Sequence, residues 1–440
     1  MTLAVGQKAK APRAPHPLRA ESVRGFAPFA GAVVAATLGV LLAGTARRWQ
    51  GDWGATAAEL HDALVIAVPL AAAAGCWQGG RERRRRTEEL WGTAVRAPLV
   101  RFLAAALPLT AWVSAGYLTA GAAALLATAP YATGGGPHPG LLPGDTVALA
   151  SAALLGHVVG RVLPTRLAAP LLALAGYVGL GVARAARSGS GSPLGPAFPV
   201  GDGRLPVWWL IPATAAWTGG LALAAVLAYA ARRRATALLP LAAAVAAGAL
   251  LVHTGDGLWR PDPLAARQVC DTSTTPAICV NARYANLLPQ IETALSGITG
   301  KLDGVRDLPV RWADRPGVPH RDEVQLPMLT PIGWYVVRGR LTNPRQYAWE
   351  AAVALGHGEC TNPRVRELDE LVEHYLAPSP AESRFDDLAA HGSRADRAAL
   401  RRQVAARAHL ASMGEKERRA WLSVYFATTG GCDVRGVPAL

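Results

Sequence analysis

Seven long runs without a charged residue constrain this 440-residue chain more than any other feature of its sequence. About 20 apolar helical residues cross a hydrocarbon core of about 30 Å, in which a charged side chain is costly. The runs predict an α-helical polytopic membrane protein, with transmembrane helices near residues 26–46, 63–80, 102–129, 146–160, 167–183, 205–231 and 235–255. Only 17% of the residues are charged, against about 25% in soluble domains, which argues against a cytosolic globular fold.

The fourth and fifth runs, 146–160 and 167–183, are the shortest, with 15 and 17 residues. They predict a hairpin that either crosses the membrane fully or re-enters on the side where it began. In both cases the number of crossings is odd, so the two termini lie on opposite sides of the membrane. Gly176, Gly179 and Gly181 would allow close helix packing or a bend in the fifth run.

Basic residues in the short flanking segments predict the orientation, because such segments stay in the cytoplasm. The segments on the same side as the N-terminus hold 17 Lys and Arg residues, and the opposite loops hold 5. We therefore expect a multi-pass plasma-membrane protein with a cytoplasmic N-terminal segment (1–25), a transmembrane domain (26–255) and an extracytoplasmic C-terminal domain (256–440). Cleavage of the first run as a signal peptide is the alternative, and it would also leave the C-terminal domain outside.

The net charge of +14 belongs mainly to residues 1–255, since residues 256–440 contain 23 basic and 22 acidic residues. A charge of this size would usually indicate a nucleic-acid partner. Its concentration beside the membrane instead reflects orientation, so we expect contacts with membrane lipids and none with nucleic acid.

Four of the five cysteines, Cys270, Cys279, Cys360 and Cys432, lie in the C-terminal domain. An even set in an extracytoplasmic domain predicts two disulfides, and four cysteines allow three pairings. We favour Cys270–Cys279, which closes a short hairpin, and Cys360–Cys432, which joins two helical regions. The alternative is a zinc site formed by the thiolates with His357, although no C-x-x-C pair is present.

Residues 256–440 mix helical and strand patterns and predict an α+β domain that is richer in helix toward its C-terminus. A hairpin is expected from 268–270 and 277–280, and further strands at 308–312 and 333–338. Helices are expected at residues 284–299, 346–355, 365–376, 395–411 and 416–427. Asn362 and Pro363 supply an N-cap and a proline start for the third of these helices.

No catalytic motif is present in this domain, which lacks both H-E-x-x-H and G-x-S-x-G. His357-Gly-Glu359-Cys360 places potential metal ligands close together, but a loop after a helix is the simpler interpretation. A second possible cation site is the acidic cluster of Glu367, Asp369, Glu370 and Glu373. Only some of these side chains share a helical face, so a solvated acidic face is the simpler interpretation. We therefore predict neither an enzyme nor a bound metal or cofactor.

The apolar runs themselves contain few ionisable residues. The fourth run holds His157 and is flanked by Asp145 and Arg161, while His253 lies near the end of the seventh. Ion-coupled carriers usually place acidic residues in the middle of the membrane. The sequence predicts none there, which argues against an ion-driven secondary transporter. Arg161 is expected to extend toward the interface.

The loop between the second and third runs carries the element Arg81-Glu-Arg-Arg-Arg-Arg-Thr-Glu-Glu-Leu-Trp91. Here the chain resembles the permeases of type-2 ABC exporters, in which this loop contains Gly-Thr-x-Glu-x-Leu and then a proline. Thr87 and Glu89 match positions of that element, Leu90 comes one residue before its leucine, and Pro98 can stand for the proline. Arg86 replaces the glycine, and the proline comes about three residues late. The resemblance covers about residues 20–234.

The resemblance implies a coupling helix that docks on a cytoplasmic ABC ATPase subunit. The residues it assigns to this loop are Arg83, Arg84, Arg85, Arg86, Thr87, Glu88, Glu89 and Leu90. The whole layout is similar to actinobacterial integral membrane proteins grouped with ABC permeases, with an added extracytoplasmic C-terminal domain. It implies a permease-like subunit of an export system that works with a separate ATPase, since no cytoplasmic segment contains a Walker element.

Such a subunit is expected to form a homodimer, or a heterodimer with a related permease. An alternative from another functional class is a membrane-anchored extracytoplasmic binding or sensing protein without transport activity, whose helices only anchor it and hold two copies together.

The orientation can be tested by cysteine labelling of intact cells with a membrane-impermeant maleimide. We expect Asp386→Cys in the C-terminal domain to be labelled from outside and Thr87→Cys in the loop to be labelled only after permeabilisation. The reverse pattern would contradict the predicted topology.

Overall fold

The computed structural model describes residues 22–23, 25–86, 97–132, 134–137, 139–163, 165–185, 194–200, 204–315, 317–329, 336–358 and 360–438. Among these residues, seven helical segments are long and apolar enough to cross a membrane. We name them M1 to M7 in chain order: Ala27–Gly44, Trp53–Gly79, Pro98–Tyr131, Pro139–Val162, Ala168–Ala185, Leu210–Ala230 and Arg234–Leu258. This agrees with the polytopic helical class that the charge-free runs predicted.

M2 begins ten residues earlier than its charge-free run. It consists of two helices, Trp53–Asp62 and Leu64–Gly79, that follow each other directly. Asp52 caps the first of them by accepting a hydrogen bond from the backbone N–H of Ala55 at 2.6 Å. The charged residue that precedes the run is Asp62, which pairs with Arg184 of M5, and His61 beside it lies buried inside the bundle. The helical segment thus extends beyond the charge-free run, because a paired carboxylate interrupts the apolar pattern without ending the segment.

M4 and M5 are both longer than their charge-free runs. Their α-helical parts, Leu142–Val162 and Ala168–Ala185, contain 21 and 18 residues. At 1.5 Å per residue these helices are about 32 and 27 Å long, which is sufficient to cross a hydrocarbon core. M5 is the least buried of the seven. It exposes several large apolar side chains to its surroundings: Leu171, Leu174, Tyr177, Val178 and Val182.

M2 and M4 pack backbone against backbone through four glycines at a spacing of four residues. Gly75 and Gly79 of M2 lie against the carbonyl groups of Ala153 and His157 in M4. Gly156 and Gly160 of M4 lie in the same way against the carbonyl groups of Ala72 and Cys76 in M2. A side chain at any of these positions would overlap the partner's backbone, so only glycine permits this approach. M1 and M3 approach each other similarly at Gly31 and Gly116.

Short strands begin where the bundle meets the C-terminal domain. β1 (Arg204–Pro206), in the connection between M5 and M6, pairs with β2 (Trp259–Pro261), which follows M7. The C-terminal domain then forms a four-stranded sheet in the order β3-β4-β5-β6. These strands are Gln268–Asp271, Ala277–Asn281, Arg311–Ala313 and Glu323–Gln325. A two-residue pair follows, β7 (Val336–Val337) with β8 (Arg340–Leu341).

The predicted hairpin is confirmed as β3 and β4, with Cys270 directly opposite Cys279. β5 pairs in parallel with β4 and with β6. β5 starts three residues later than predicted. β6 was not predicted, because three residues are too few to show the alternating pattern of a strand.

Among the described residues, six helices of nine or more residues follow or flank the sheet, and we name them α1 to α6: Leu288–Leu302, Pro344–Val353, Pro363–Leu376, Glu382–Ala390, Arg394–Ser412 and Glu415–Phe426. The five predicted helices are confirmed within a few residues, and α4 was not predicted. Asn362 caps α3 through a hydrogen bond from the N–H of Arg364, as the Asn-Pro pair indicated. The helices and sheet enclose one hydrophobic core, whose largest fully buried side chains are Trp312, Tyr284, Tyr347, Tyr425 and Phe426.

The M2–M4 contact predicts a large difference between two glycine substitutions. Gly156→Ala places a methyl group on the carbonyl oxygen of Ala72 and is expected to destabilise the protein by about 1–3 kcal/mol. Gly179→Ala in M5 is the control, because no described atom lies within 4 Å of its Cβ position. Alanine is favoured over glycine in a helix, so the control should be neutral or slightly stabilising. Thermal unfolding of the detergent-solubilised protein measures both, and equal melting temperatures would refute the packing.

Candidate functional site

A buried polar network joins M2, M3 and M4 at the end of the bundle that faces the C-terminal domain. One carboxylate oxygen of Asp145 accepts a hydrogen bond from the hydroxyl of Tyr117 at 2.6 Å, and the other lies 2.8 Å from Nδ1 of His61. The exposed fractions of Asp145, His61 and Tyr117 are 3%, 1% and 0%. An unpaired carboxylate is costly in an apolar bundle, so these two partners make its burial possible.

The other ring nitrogen of His61, Nε2, is buried and makes no hydrogen bond to a described residue. The ring packs against Phe198 with 4.4 Å between ring centroids and borders a cavity of about 20 Å³. Thr214 and Trp217 of M6 line the same cavity, whose size suits a single water molecule. Ionisable groups inside a membrane bundle are usually functional.

A second polar cluster lies at the opposite end of the same two spans. Arg161 of M4 donates two hydrogen bonds to Glu82, which follows M2; one joins Nη2 to Oε1 at 2.7 Å. His157, one turn before Arg161, is fully buried and meets the ring of Phe102 edge to face. Arg161 thus extends toward the end of the bundle, where Glu82 offers it a carboxylate.

Only part of the predicted coupling loop lies among the described residues. Arg83, Arg84, Arg85 and Arg86 are described, and Thr87, Glu88, Glu89 and Leu90 lie outside the described residues. A short helix, Arg81–Arg84, continues M2 after Gly80. The Arg84 guanidinium lies over the ring of Trp77, 4.1 Å from its centroid, and donates to the Trp77 carbonyl. Arg83 donates to the carbonyl of Arg161 at 3.4 Å. The first part of the loop is thus an extension of M2 that contacts M4.

Arg283 fixes the C-terminal domain to the start of M2. Its Nη2 donates to both carboxylate oxygens of Asp52, at 2.8 and 2.9 Å, and its Nε lies 3.8 Å from Asp262. The side chains of this cluster are almost fully buried. Burial on its own would lower the pKa of Arg283, but Asp52, with Tyr284 and Asp262, raises it above its ordinary value. The guanidinium therefore stays charged at the junction.

A second contact at this junction involves the turn between β7 and β8. The backbone N–H of Arg338 donates to the carbonyl of Gln50 at 3.2 Å, and Nε of Arg338 donates to the Gln50 side chain at 2.8 Å. Gly51, with φ of +116°, lies against the backbone of Gly339. The residues just before M2 are thus held from two sides by the C-terminal domain.

Both predicted disulfides are confirmed: Cys270 pairs with Cys279 and Cys360 pairs with Cys432. Their sulfurs are consequently not available as zinc ligands, so the alternative of a thiolate site was wrong. The fifth cysteine, Cys76, is a buried thiol in M2.

His357 is a structural residue in the C-terminal domain. Its Nδ1 lies 2.6 Å from Asp369 and its Nε2 lies 3.0 Å from the hydroxyl of Thr428. The Tyr425 hydroxyl donates to the same oxygen of Asp369 at 2.6 Å. Burial, together with the charge of Asp369, raises the pKa of Tyr425 well above its ordinary value. Both imidazole nitrogens are thus engaged in a network that joins α3, α6 and the loop after α2.

The acidic cluster on α3 does not converge on one point. Asp369 faces His357, while Glu370 accepts a hydrogen bond from Gln403 of α5 at 2.5 Å. Burial raises the pKa of Glu373 to about 7, with Asp369 and Glu370 adding repulsion. Among the described residues, no group of three or more His, Cys, Asp or Glu side chains is placed to hold a metal ion.

Comparison with protein families, with curated proteins and with solved structures finds no match for this chain. The site is therefore interpreted from its own geometry.

Sequence reasoning missed the network around Asp145 and the glycines of the M2–M4 contact. Asp145 and His61 both flanked charge-free runs, so the sequence indicated helix ends instead of buried partners. The spacing of Gly75 with Gly79, and of Gly156 with Gly160, was the available signal, because small residues four apart mark close helix contacts.

The ion pair at the junction predicts a strong effect of Arg283→Gln. The substitution leaves the Asp52 carboxylate buried without its charged partner, which is expected to cost about 3–5 kcal/mol. Arg345→Gln, at an exposed position of the same domain, removes the same charge and should be close to neutral. Thermal unfolding and limited proteolysis of the full chain measure the change. If Asp52→Asn combined with Arg283→Gln costs as much as the two single changes added together, the pair does not act as a unit.

Proposed function

We propose that this chain is the permease-like membrane subunit of an ABC-type export system, working with a separate ATPase that docks on segment 81–96. The observation that carries the proposal is the continuity of M2 with that segment. The helix Arg81–Arg84 follows M2 directly, and Glu82 within it holds Arg161 of M4. A partner that moves this segment therefore moves the bundle.

M2 and M4 provide a rigid connection from the docking segment to the buried network. Glu82 and Arg161 clamp the two spans at one end, the glycines hold them in backbone contact in the middle, and His61 pairs with Asp145 at the other end. Sixteen residues separate Asp145 from Arg161 in M4, which corresponds to about 24 Å along the helix. Because M4 is one continuous helix over this stretch, motion at the docking segment would reach the opposite end of the bundle.

The same span also reaches the C-terminal domain. Asp52, immediately before M2, is the residue that binds Arg283. A shift of M2 would therefore move the attachment point of this domain, which in the predicted orientation lies over the outer exit. This supports a role for the domain in opening the exit or in receiving cargo there.

A transport path fits better between two subunits than through one. The backbone contact of M2 with M4 leaves no space between them in this conformation. M5 and M7 expose apolar side chains along the surface of the unit, including Leu174 and Val245. Such faces suit lipid or a second permease copy, in agreement with the expected homodimer or heterodimer.

The second candidate is a membrane-anchored extracytoplasmic binding or sensing protein. A groove of about 180 Å³ between α3 and α5 favours it, because both signs of charge line it and suit a polar ligand: Glu367, Glu370, Arg402 and Arg407. Helices that serve only as an anchor, however, would not need the buried Asp145 network. We therefore place the permease function first.

Charge reversal at the Glu82–Arg161 pair, which we call the clamp, tests the proposal. Glu82→Arg should lower the amount of ATPase that co-purifies with the tagged chain several-fold, because it breaks the pair with Arg161 beneath the docking segment. Adding Arg161→Glu should restore it. Arg233→Glu is the control, since Arg233 is exposed at the same end of the bundle and forms no part of the clamp.

The co-purified fraction is assayed for ATP hydrolysis and its subunits are identified by mass spectrometry. If no ATPase accompanies the unmodified chain, or if the clamp variants leave its yield unchanged, the permease function is refuted. Ligand binding that depends on Arg402 and is insensitive to Asp145→Asn would instead support the second candidate.

A further inference from the structure

Asp314 is a buried acidic residue directly after β5 in the C-terminal domain, with an exposed fraction of 8%. Its backbone N–H donates to the carbonyl of Cys279 in β4 at 3.0 Å. Its backbone carbonyl accepts a hydrogen bond from the Gln268 side chain of β3 at 2.7 Å. The backbone of Asp314 is thus fixed by two strands, so its side chain reaches water only if this end of the sheet opens.

The Asp314 carboxyl group is bound by an amide rather than by a cation. Nδ2 of Asn281 donates to its Oδ2, and the backbone N–H of Asn281 lies 3.5 Å from the same oxygen. The charged side chains around this group are paired with one another, Arg283 with Asp52 and Asp262, and Arg315 with Glu323. A carboxylate buried without a cationic partner is costly, whereas its protonated form is much less so.

Burial raises the pKa of Asp314 from its ordinary value of 3.8 to about 6, although the hydrogen bonds from Asn281 and the charge of Arg283 act in the opposite direction. In a locally opened form the carboxyl group is hydrated, and its pKa returns toward the ordinary value. The closed form therefore binds the proton more tightly than the open form. Closure is favoured most by acid, weakens as the pH rises from about 4 to about 6, and stays weaker above that range.

Asn281 connects this carboxyl group to the attachment of M2. Its side-chain nitrogen binds Asp314, and its Oδ1 accepts a hydrogen bond from the backbone N–H of Arg283 at 3.1 Å. The Arg283 side chain in turn binds Asp52, the residue that caps M2. A shift of Asn281 would therefore disturb the backbone that carries the Arg283 guanidinium.

We propose that Asp314 and Asn281 make the junction between the C-terminal domain and M2 sensitive to pH, with Asp314 as the titrating group. The junction is held most firmly while Asp314 is protonated. When Asp314 ionises at neutral pH, hydration of the carboxylate shifts the equilibrium toward an open form in which Asn281 no longer supports Arg283. This device is independent of the proposed transport function and remains if no ATPase is found.

Hydrogen exchange of the full chain in detergent, followed by mass spectrometry and corrected for the intrinsic exchange rate at each pH, measures the opening. For a peptide that covers residues 278–286, the opening constant should rise about ten-fold between about pH 5 and about pH 7.5. Asp314→Asn keeps the acceptor for Asn281 but carries no charge, so its opening constant should be the same at both pH values. Asp322→Asn, at an exposed position of the same domain, is the matched control and should keep the ten-fold rise.

A pH dependence that is lost in Asp314→Asn and kept in Asp322→Asn supports the proposal. If Asp314→Asn does not fold, Asn281→Ala is the second variant: loss of its side-chain hydrogen bond to the carboxylate should move the end of the rise to higher pH. An equal rise in Asp314→Asn and in the unmodified chain would overturn the proposal, and so would an opening constant of the unmodified chain that does not change with pH. If the rise in Asn281→Ala ends at the same pH as in the unmodified chain, the proposal is overturned as well.

Discussion

The backbone contact between M2 and M4 is the constraint on which the other features of the membrane bundle depend. Four glycines let the two helices approach until carbonyl groups of one face the Cα atoms of the other. Without a hydrophobic force between helices in lipid, such close packing is a main source of association. The contact sets the distance and rotation of the two spans, and so it brings His61 to Asp145 at one end and Glu82 to Arg161 at the other.

Ion pairs add further contacts between M2 and its neighbours to those that the glycines make. Asp62 forms a two-point pair with Arg184 at 2.6 Å, which holds M5 to M2, and Asp52 pairs with Arg283 of the C-terminal domain. Each of these carboxylates lies in M2 or directly before it. An isolated charge here would be costly, whereas a paired one is tolerated and orients its partner. M2 is thereby connected to M4, to M5 and to the C-terminal domain, and this central position is why the proposed function assigns it the transmission of motion.

Much of the fold was predictable because it depends on local patterns. The cores of all seven spans follow from runs of apolar residues, and the hairpin of β3 and β4 follows from its flanking β-branched residues and cysteines. Asn362 with Pro363 located the start of α3. The candidate site was less predictable from the sequence. A criterion that excludes charges ended the second run at Asp62, next to His61, and the fourth at Asp145. Nothing local shows that His61 and Asp145, 84 apart in sequence, offset each other's cost of burial. The C-terminal helix α4 has no buried residue, so it lacked the apolar stripe that marks a helix.

The sequence by itself determined that the chain has seven segments apolar enough to cross a membrane, that its loops differ in charge, and that its C-terminal domain contains strands, helices and four cysteines. These properties follow from composition and spacing along a short stretch of chain. Only the tertiary structure decided which polar residues are buried together, that Asp314 is bound by Asn281, and that Arg283 binds the residue that caps M2. The physical reason is that the free energy of a buried charge depends on a partner that is distant in sequence, and folding alone brings the two within reach.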